Sequence, residues 1–182
     1  MKKESSAAYI ARLAITLLLI TAVVAAGLAC VNAVTAPEIE ALNAQKTQTA
    51  IEAVLPGGGE EIAFTDDSGI VSTIYKGQSG YAVEVTPAGF NGTVTMMVGV
   101  DNAGKVLGIS IVNHTETAGL GAEAASQGAA GTAFRSQFVG MSGSVSVSKD
   151  GGQVDALTGA TITSRAVCTG VNAALNAVAK LG

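Results

Sequence analysis

Residues 155–164 read Asp-Ala-Leu-Thr-Gly-Ala-Thr-Ile-Thr-Ser, placing one carboxylate and four hydroxyls in ten positions just before an apolar-periodic stretch. Thr158, Thr161, Thr163 and Ser164 thus surround a predicted helix start. Threonine and serine are favoured N-caps, and a cap accounts for one of these hydroxyls or two. It does not require Gly159-Ala160, which strips side-chain bulk from the backbone just before Thr161 and lets another molecule approach. Free N–H groups, a helix dipole and hydroxyl donors together suit a phosphate. The segment is not a P-loop, because no Gly-Lys-Ser/Thr is present. The residues alone leave a generous cap and a phosphate site both open.

A second polar cluster lies at Asn-His-Thr-Glu-Thr-Ala-Gly-Leu-Gly, residues 113–121. Read alone, His114 and Glu116 are a solvated pair at a strand end. With one histidine and two distant cysteines, no metal centre is expected. Cys30 falls in an apolar run and Cys168 in the last helix, so no disulfide is expected either.

The elements that must position these clusters are read from the rest of the chain. Leu13–Val34 is 22 residues without a charge, enough to cross a bilayer as a helix. A cleaved signal has a shorter apolar core, and Gly27 stands where a lipoprotein signal before Cys30 has leucine. Lys2, Lys3 and Arg12 all precede the run, which puts residues 1–12 in the cytoplasm and everything after Val34 outside. From Glu38 onward 13 acidic residues face seven basic ones, a net charge near −6. That balance argues against nucleic acid and against a basic lipid-binding patch.

Pro37 suits a first helical turn, and helical spacing of Ile39, Leu42, Ile51, Val54 and Leu55 predicts a stalk helix over 35–58, stopped by Pro56 and Gly57. The stretches 69–77, 80–89, 93–101 and 105–114 are β-branched and bounded by glycine, as in an antiparallel meander. Asp101-Asn102-Ala103-Gly104 reads as the last turn between them. Residues 142–154 suggest a further hairpin, and a helix is predicted from Thr161 to Ala179 with Val167, Val171, Ala174, Leu175 and Val178 buried. The expected architecture is α+β, with one compact domain over 59–182.

The segment 155–164 resembles the flavinylation signature of the FMN-binding domain family, Asp-x-x-(Ser/Thr)-Gly-Ala-Thr followed by a hydroxyl residue. The resemblance implies FMN esterified through its phosphate to Thr161. It also implies that a dedicated extracytoplasmic flavin transferase, with FAD as donor, reads a sequence that includes Asp155. Thr158, Gly159, Ala160, Thr163 and Ser164 complete the implied cofactor segment. The block 113–121 is similar to the His-x-Glu-Thr-Pro-Gly-Leu-Gly segment of the G-subunit branch of Rnf-type electron-transport complexes, with Ala118 in place of the usual proline. It implies that His114, Glu116, Thr117, Leu120 and Gly121 line the flavin ring. The N-terminal apolar helix and Phe-Arg-Ser-Gln-Phe-Val-Gly at 134–140 fit the same branch.

The implied function is electron relay inside a membrane complex coupling ferredoxin and NAD oxidoreduction to ion translocation. The partners would be the A, B, C, D and E subunits of the complex. A component like the C subunit of a sodium-pumping NADH:quinone reductase, or a stand-alone flavoprotein reductase, is the alternative; the chain alone carries no catalytic residue in this reading.

Overall fold

The computed structural model describes residues 6–66 and 68–181. Lys2 and Lys3, on which the orientation argument partly rests, lie outside the described residues. The chain forms two compact units, Met1–Gln45 and Lys46–Gly182.

Helix α1 runs Ser6–Val54, and its segment from Ala8 onward is long and apolar enough to cross a membrane. Leu17, Leu18, Val23 and Leu28 are exposed along it. Thr16, Thr21 and Thr35 donate their hydroxyls to the carbonyls of Arg12, Leu17 and Val31 at 2.8–3.0 Å. The apolar stretch therefore carries its hydroxyls already satisfied. Pro37, expected to open a separate stalk helix, instead lies inside α1. It removes one backbone donor, yet helical residues continue on both sides.

The second unit is built on a five-stranded antiparallel meander in the order β1-β2-β3-β4-β5: Glu60–Ile62, Val71–Lys76, Gly80–Val85, Val94–Asp101 and Val106–His114. The four long strands fall where alternation and glycine stops put them. The short β1 pairs Ile62 with Ile74 at the sheet edge. Its sequence, Glu-Glu-Ile, has no strand signature, and two edge carboxylates blunt further pairing. In the turn after β4, Asp101 Oδ1 accepts the backbone N–H groups of Ala103 and Lys105, both at 2.8 Å.

Successive strand residues alternate faces. Val83, Val85, Met96, Val98 and Val100 share one core with Phe134, Phe138, Val167, Val171, Ala174 and Val178. Ala82 and Met97 belong instead to a cluster with Ala50, Ile51, Val54 and Leu55 from the end of α1 and the turn after it. The sheet thus lies between helix α3, Thr161–Ala179, and the last turns of α1. Helix α2, Ala129–Ser136, adds Phe134, whose ring meets Phe138 edge-on at 5.4 Å. Phe138 is fully buried, so Phe138→Ala should cost about 3–5 kcal/mol of stability, measured by denaturant unfolding. A cost below about 1 kcal/mol would mean that this face of the core is not packed as described.

Residues 142–154 do not form the expected hairpin. A short 3₁₀ turn occupies Ser148–Asp150, and Val147 and Val154 make one isolated parallel bridge. The backbone of Val145 pairs with a side chain rather than a strand: Asn172 Oδ1 accepts its N–H and Asn172 Nδ2 donates to its carbonyl, both at 2.8 Å. The alternating Ser-Val pattern buries Val145 and Val147 with no strand pairing beyond that single bridge.

Candidate functional site

The turn before α3 is closed by its own side chains. Ala160 N–H donates to the Leu157 carbonyl at 3.0 Å, and Gly159 takes the left-handed conformation at φ +74°, which glycine adopts without steric cost. Ser164 is fully buried; its Oγ accepts the Leu157 N–H and donates to the Ala160 carbonyl, each at 3.0 Å. Upstream, Gln137 grips the backbone of Asp155: its Oε1 accepts the Asp155 N–H at 2.7 Å and its Nε2 donates to the Asp155 carbonyl at 3.2 Å. The Asp155 side chain is left exposed. No side-chain hydroxyl caps α3 at Ala160, so capping does not explain the cluster.

Glu116 fastens this region to the sheet. Its Oε1 accepts the N–H groups of Phe90 and Asn91 at 2.9 and 3.1 Å, and Oε2 accepts the hydroxyl of Thr163. The flanking Thr115 donates its hydroxyl to the Asn91 carbonyl at 2.8 Å. Burial pushes the Glu116 carboxyl upward. The hydrogen bonds from Thr163, Asn91 and Phe90, with the nearby His114, outweigh it and hold the pKa below its ordinary value. A buried carboxylate with three donors is a satisfied anion.

Between these two systems opens a cleft of about 370 Å³, lined by residues of both polar clusters. That volume falls within the roughly 300–1,000 Å³ of small-molecule sites. Glu116, Thr117, Leu120 and Gly121 come from one cluster; Gly159, Ala160, Thr161 and Thr163 come from the other. Phe90, Lys149 and Ile162 complete it, and Phe90, Leu120 and Ile162 leave apolar surface at its mouth. Gly121 is required here, because a Cβ would sit 2.5 Å from both Glu116 Oε2 and Thr163 Oγ1. A wider depression of about 730 Å³ lies along Phe64, Asp66, Ser68 and Ile70 and the flank of α3, but neither polar cluster reaches it.

The four hydroxyls are now distinguishable. Thr158 is exposed and lines a neighbouring depression with Asp155 rather than the cleft. Ser164 is committed to its turn and Thr163 to Glu116. Thr161 is half-buried at the first position of α3 and lines the cleft, and its Oγ receives a hydrogen bond from Lys149 Nζ at 3.1 Å. His114 ends β5 opposite Val94 and does not line the cleft; its Nδ1 is buried with no partner among the described residues. Cys168 lies buried on α3, where burial pushes its thiol up to about 11, so it offers no thiolate.

Neither Lys149 nor Phe90 carries a local sequence signal for a site. Lys149 lies in a Ser-Lys-Asp-Gly-Gly stretch that carries only a turn signal, and Phe90 follows a glycine in what reads as a strand end.

A sequence model described as the FMN-binding domain matches residues 89–176, which begin at the Phe90 turn and include every residue lining the cleft. The chain is similar to the G subunit of an ion-translocating oxidoreductase complex of Methanosarcina acetivorans, 32% identical over 182 residues, covering 93% of this chain and 94% of that protein. The chain belongs to the G-subunit family of ion-translocating oxidoreductase complexes. It is also 35% identical to the G subunit of the Na(+)-translocating ferredoxin:NAD(+) oxidoreductase complex of Acetobacterium woodii, over 88% of this chain and 87% of that one. A proton-translocating counterpart in Clostridium ljungdahlii is 40% identical over 54% of this chain and 52% of its own length. The G-subunit family therefore includes proteins named for either ion.

Proposed function

We propose that this chain is the FMN-carrying subunit of an ion-translocating ferredoxin:NAD oxidoreductase complex, with the flavin phosphate esterified to Thr161. The observation that carries the reading is that Thr161 is the hydroxyl of the cluster that both opens on the cleft and is met by a cation. The residues fit such a group: the glycine-lined cleft admits a flat ligand, and Lys149 supplies positive charge beside the phosphate. Thr161 would exchange its O–H bond for an Oγ–P bond while the pyrophosphate P–O bond of FAD breaks, AMP leaving with the bonding electrons and the proton. Bound through its phosphate, FMN supplies electron carriage with its ring chemistry unaltered. Glu116, Thr117, Leu120 and Gly121, which line the cleft with Thr161, would hold the ring. The exposed Asp155, presented by the Gln137 clamp, is available for the flavin transferase to read. The other subunits of the complex are the partners that deliver and remove electrons.

The same reading places residues 13–34 across the membrane, residues 1–12 in the cytoplasm and the flavin domain outside. Its support is the uncharged run with the nearby basic residues before it. An alkaline phosphatase fused after Gly182 should be active in whole cells, and a fluorescent protein that matures only in the cytoplasm should stay dark there. A bright fluorescent fusion would reverse the topology.

A further inference from the structure

Lys149 is held in place by more than its own contact with Thr161. Its neighbour Asp150 pairs with Arg165 through both of its oxygens, Nε to Oδ2 at 2.7 Å and Nη2 to Oδ1 at 2.6 Å. Arg165 lies four residues after Thr161, one turn along α3. The backbone below is fixed as well: Ser148 N–H donates to the Val154 carbonyl at 2.8 Å, and Asp150 N–H to the Val147 carbonyl at 2.9 Å. The 3₁₀ turn is therefore strapped to the start of α3, and the lysine between its anchors points its ammonium at the Thr161 oxygen. Arg165 has its charge answered by Asp150, and Glu116 has its charge answered by three donors. Among the described residues Lys149 is the cation lining the cleft, and its ammonium meets a neutral hydroxyl.

We propose that Lys149 is a positioning residue for the modification of Thr161: it orients the acceptor hydroxyl, steadies negative charge on Oγ as the Oγ–P bond forms, and afterwards pairs with the phosphodiester. This rests on the reading of Thr161 as the attachment point. An ammonium has three donors and no acceptor, so it leaves a lone pair on Oγ for phosphorus and takes no proton from it. A phosphodiester carries one negative charge where the hydroxyl carried none, and a fixed cation beside it lowers the energy of product and transition state alike. The Asp150–Arg165 pair holds the backbone of the 3₁₀ turn against α3, which keeps the root of the lysine within reach of Thr161.

The experiment is a time course of flavin incorporation by the purified transferase, with FAD and magnesium, into purified apoprotein, read as in-gel fluorescence after denaturation. Removing one donor that stabilises developing charge typically costs about 10²–10³ in rate. Lys149→Gln should therefore slow labelling by at least about tenfold, while Lys149→Arg, which keeps the charge, should stay within about threefold of wild type. Thermal melting of the apoproteins separates this from damage to the fold; Lys149 is exposed, and all three should melt together. Wild-type labelling in Lys149→Gln overturns the proposal. So does a Lys149→Arg variant as slow as Lys149→Gln, because charge is then not the operative property. The underlying reading fails separately, by an unlabelled wild type or by a labelled Thr161→Val.

Discussion

Thr161→Val, produced together with the flavin transferase, should carry no covalent flavin, while wild type fluoresces on a denaturing gel. Valine nearly preserves the shape of threonine and removes the hydroxyl, so the fold is expected to survive. Because no side chain caps α3 at Ala160, no capping energy is lost. The lost interaction is one exposed hydrogen bond from Lys149, about 1 kcal/mol at most. The neighbouring hydroxyls serve as controls with different expected behaviour. Thr158→Val changes an exposed turn residue outside the cleft and should retain flavin on Thr161. Thr163→Val breaks the bond to Glu116 and should lower stability and labelling efficiency without moving the site. Flavin persisting on Thr161→Val would assign the ester elsewhere.

The second large effect is expected at Glu116. Glu116→Ala leaves the N–H groups of Phe90 and Asn91 and the hydroxyl of Thr163 without their acceptor. A buried donor left without its acceptor costs about 1–3 kcal/mol. The Thr163 hydroxyl is buried, whereas the N–H groups of Phe90 and Asn91 are only partly buried and regain water, so the loss should be about 1–3 kcal/mol. The loss should appear in denaturant unfolding, accompanied in flavinylated protein by a shifted absorption band, because Glu116 lines the cleft. The pH dependence has a definite sign. The folded-state pKa lies below the ordinary carboxylate value of about 4.3, so the unfolded chain takes up this proton first as pH falls. The contribution is complete above that value and disappears as pH drops through the folded-state pKa. Glu116→Gln should flatten this part of the stability profile. A Glu116→Ala protein as stable as wild type, with an unmoved flavin spectrum, would remove Glu116 from both the scaffold and the site.

Several features were legible from residue order because each rested on a local rule. The four long strands announce themselves by β-branched runs between glycines, and α3 by Val167, Val171, Ala174, Leu175 and Val178 recurring on one face. The two polar clusters were visible as motifs, and the fold makes them the two sides of one cleft. What was not legible depends on partners distant in sequence. Residues 142–154 alternate like a hairpin, but Asn172 on α3 takes the backbone groups that a strand would have taken. Pro37 reads as a helix start, yet the residues around it remain helical. Glu116 and His114 look alike as polar residues at a strand end. Only the approach of the Phe90 turn and of Thr163 makes the first a buried hub, while the second turns its Nδ1 away from any partner among the described residues. Lys149 could not be chosen among the basic residues until the fold set the Ser148–Asp150 turn beside Thr161.

A phosphoester on Thr161 can be located by peptide mapping of wild-type protein matured with the transferase. Trypsin cleaving after Lys149 and Arg165 releases one peptide, residues 150–165, that contains Thr158, Thr161, Thr163 and Ser164 together. This peptide should carry the mass of one FMN less one water, and fragment ions should confine the addition to Thr161. An addition on any of the other three hydroxyls, or an unmodified peptide from protein made with an active transferase, would contradict it.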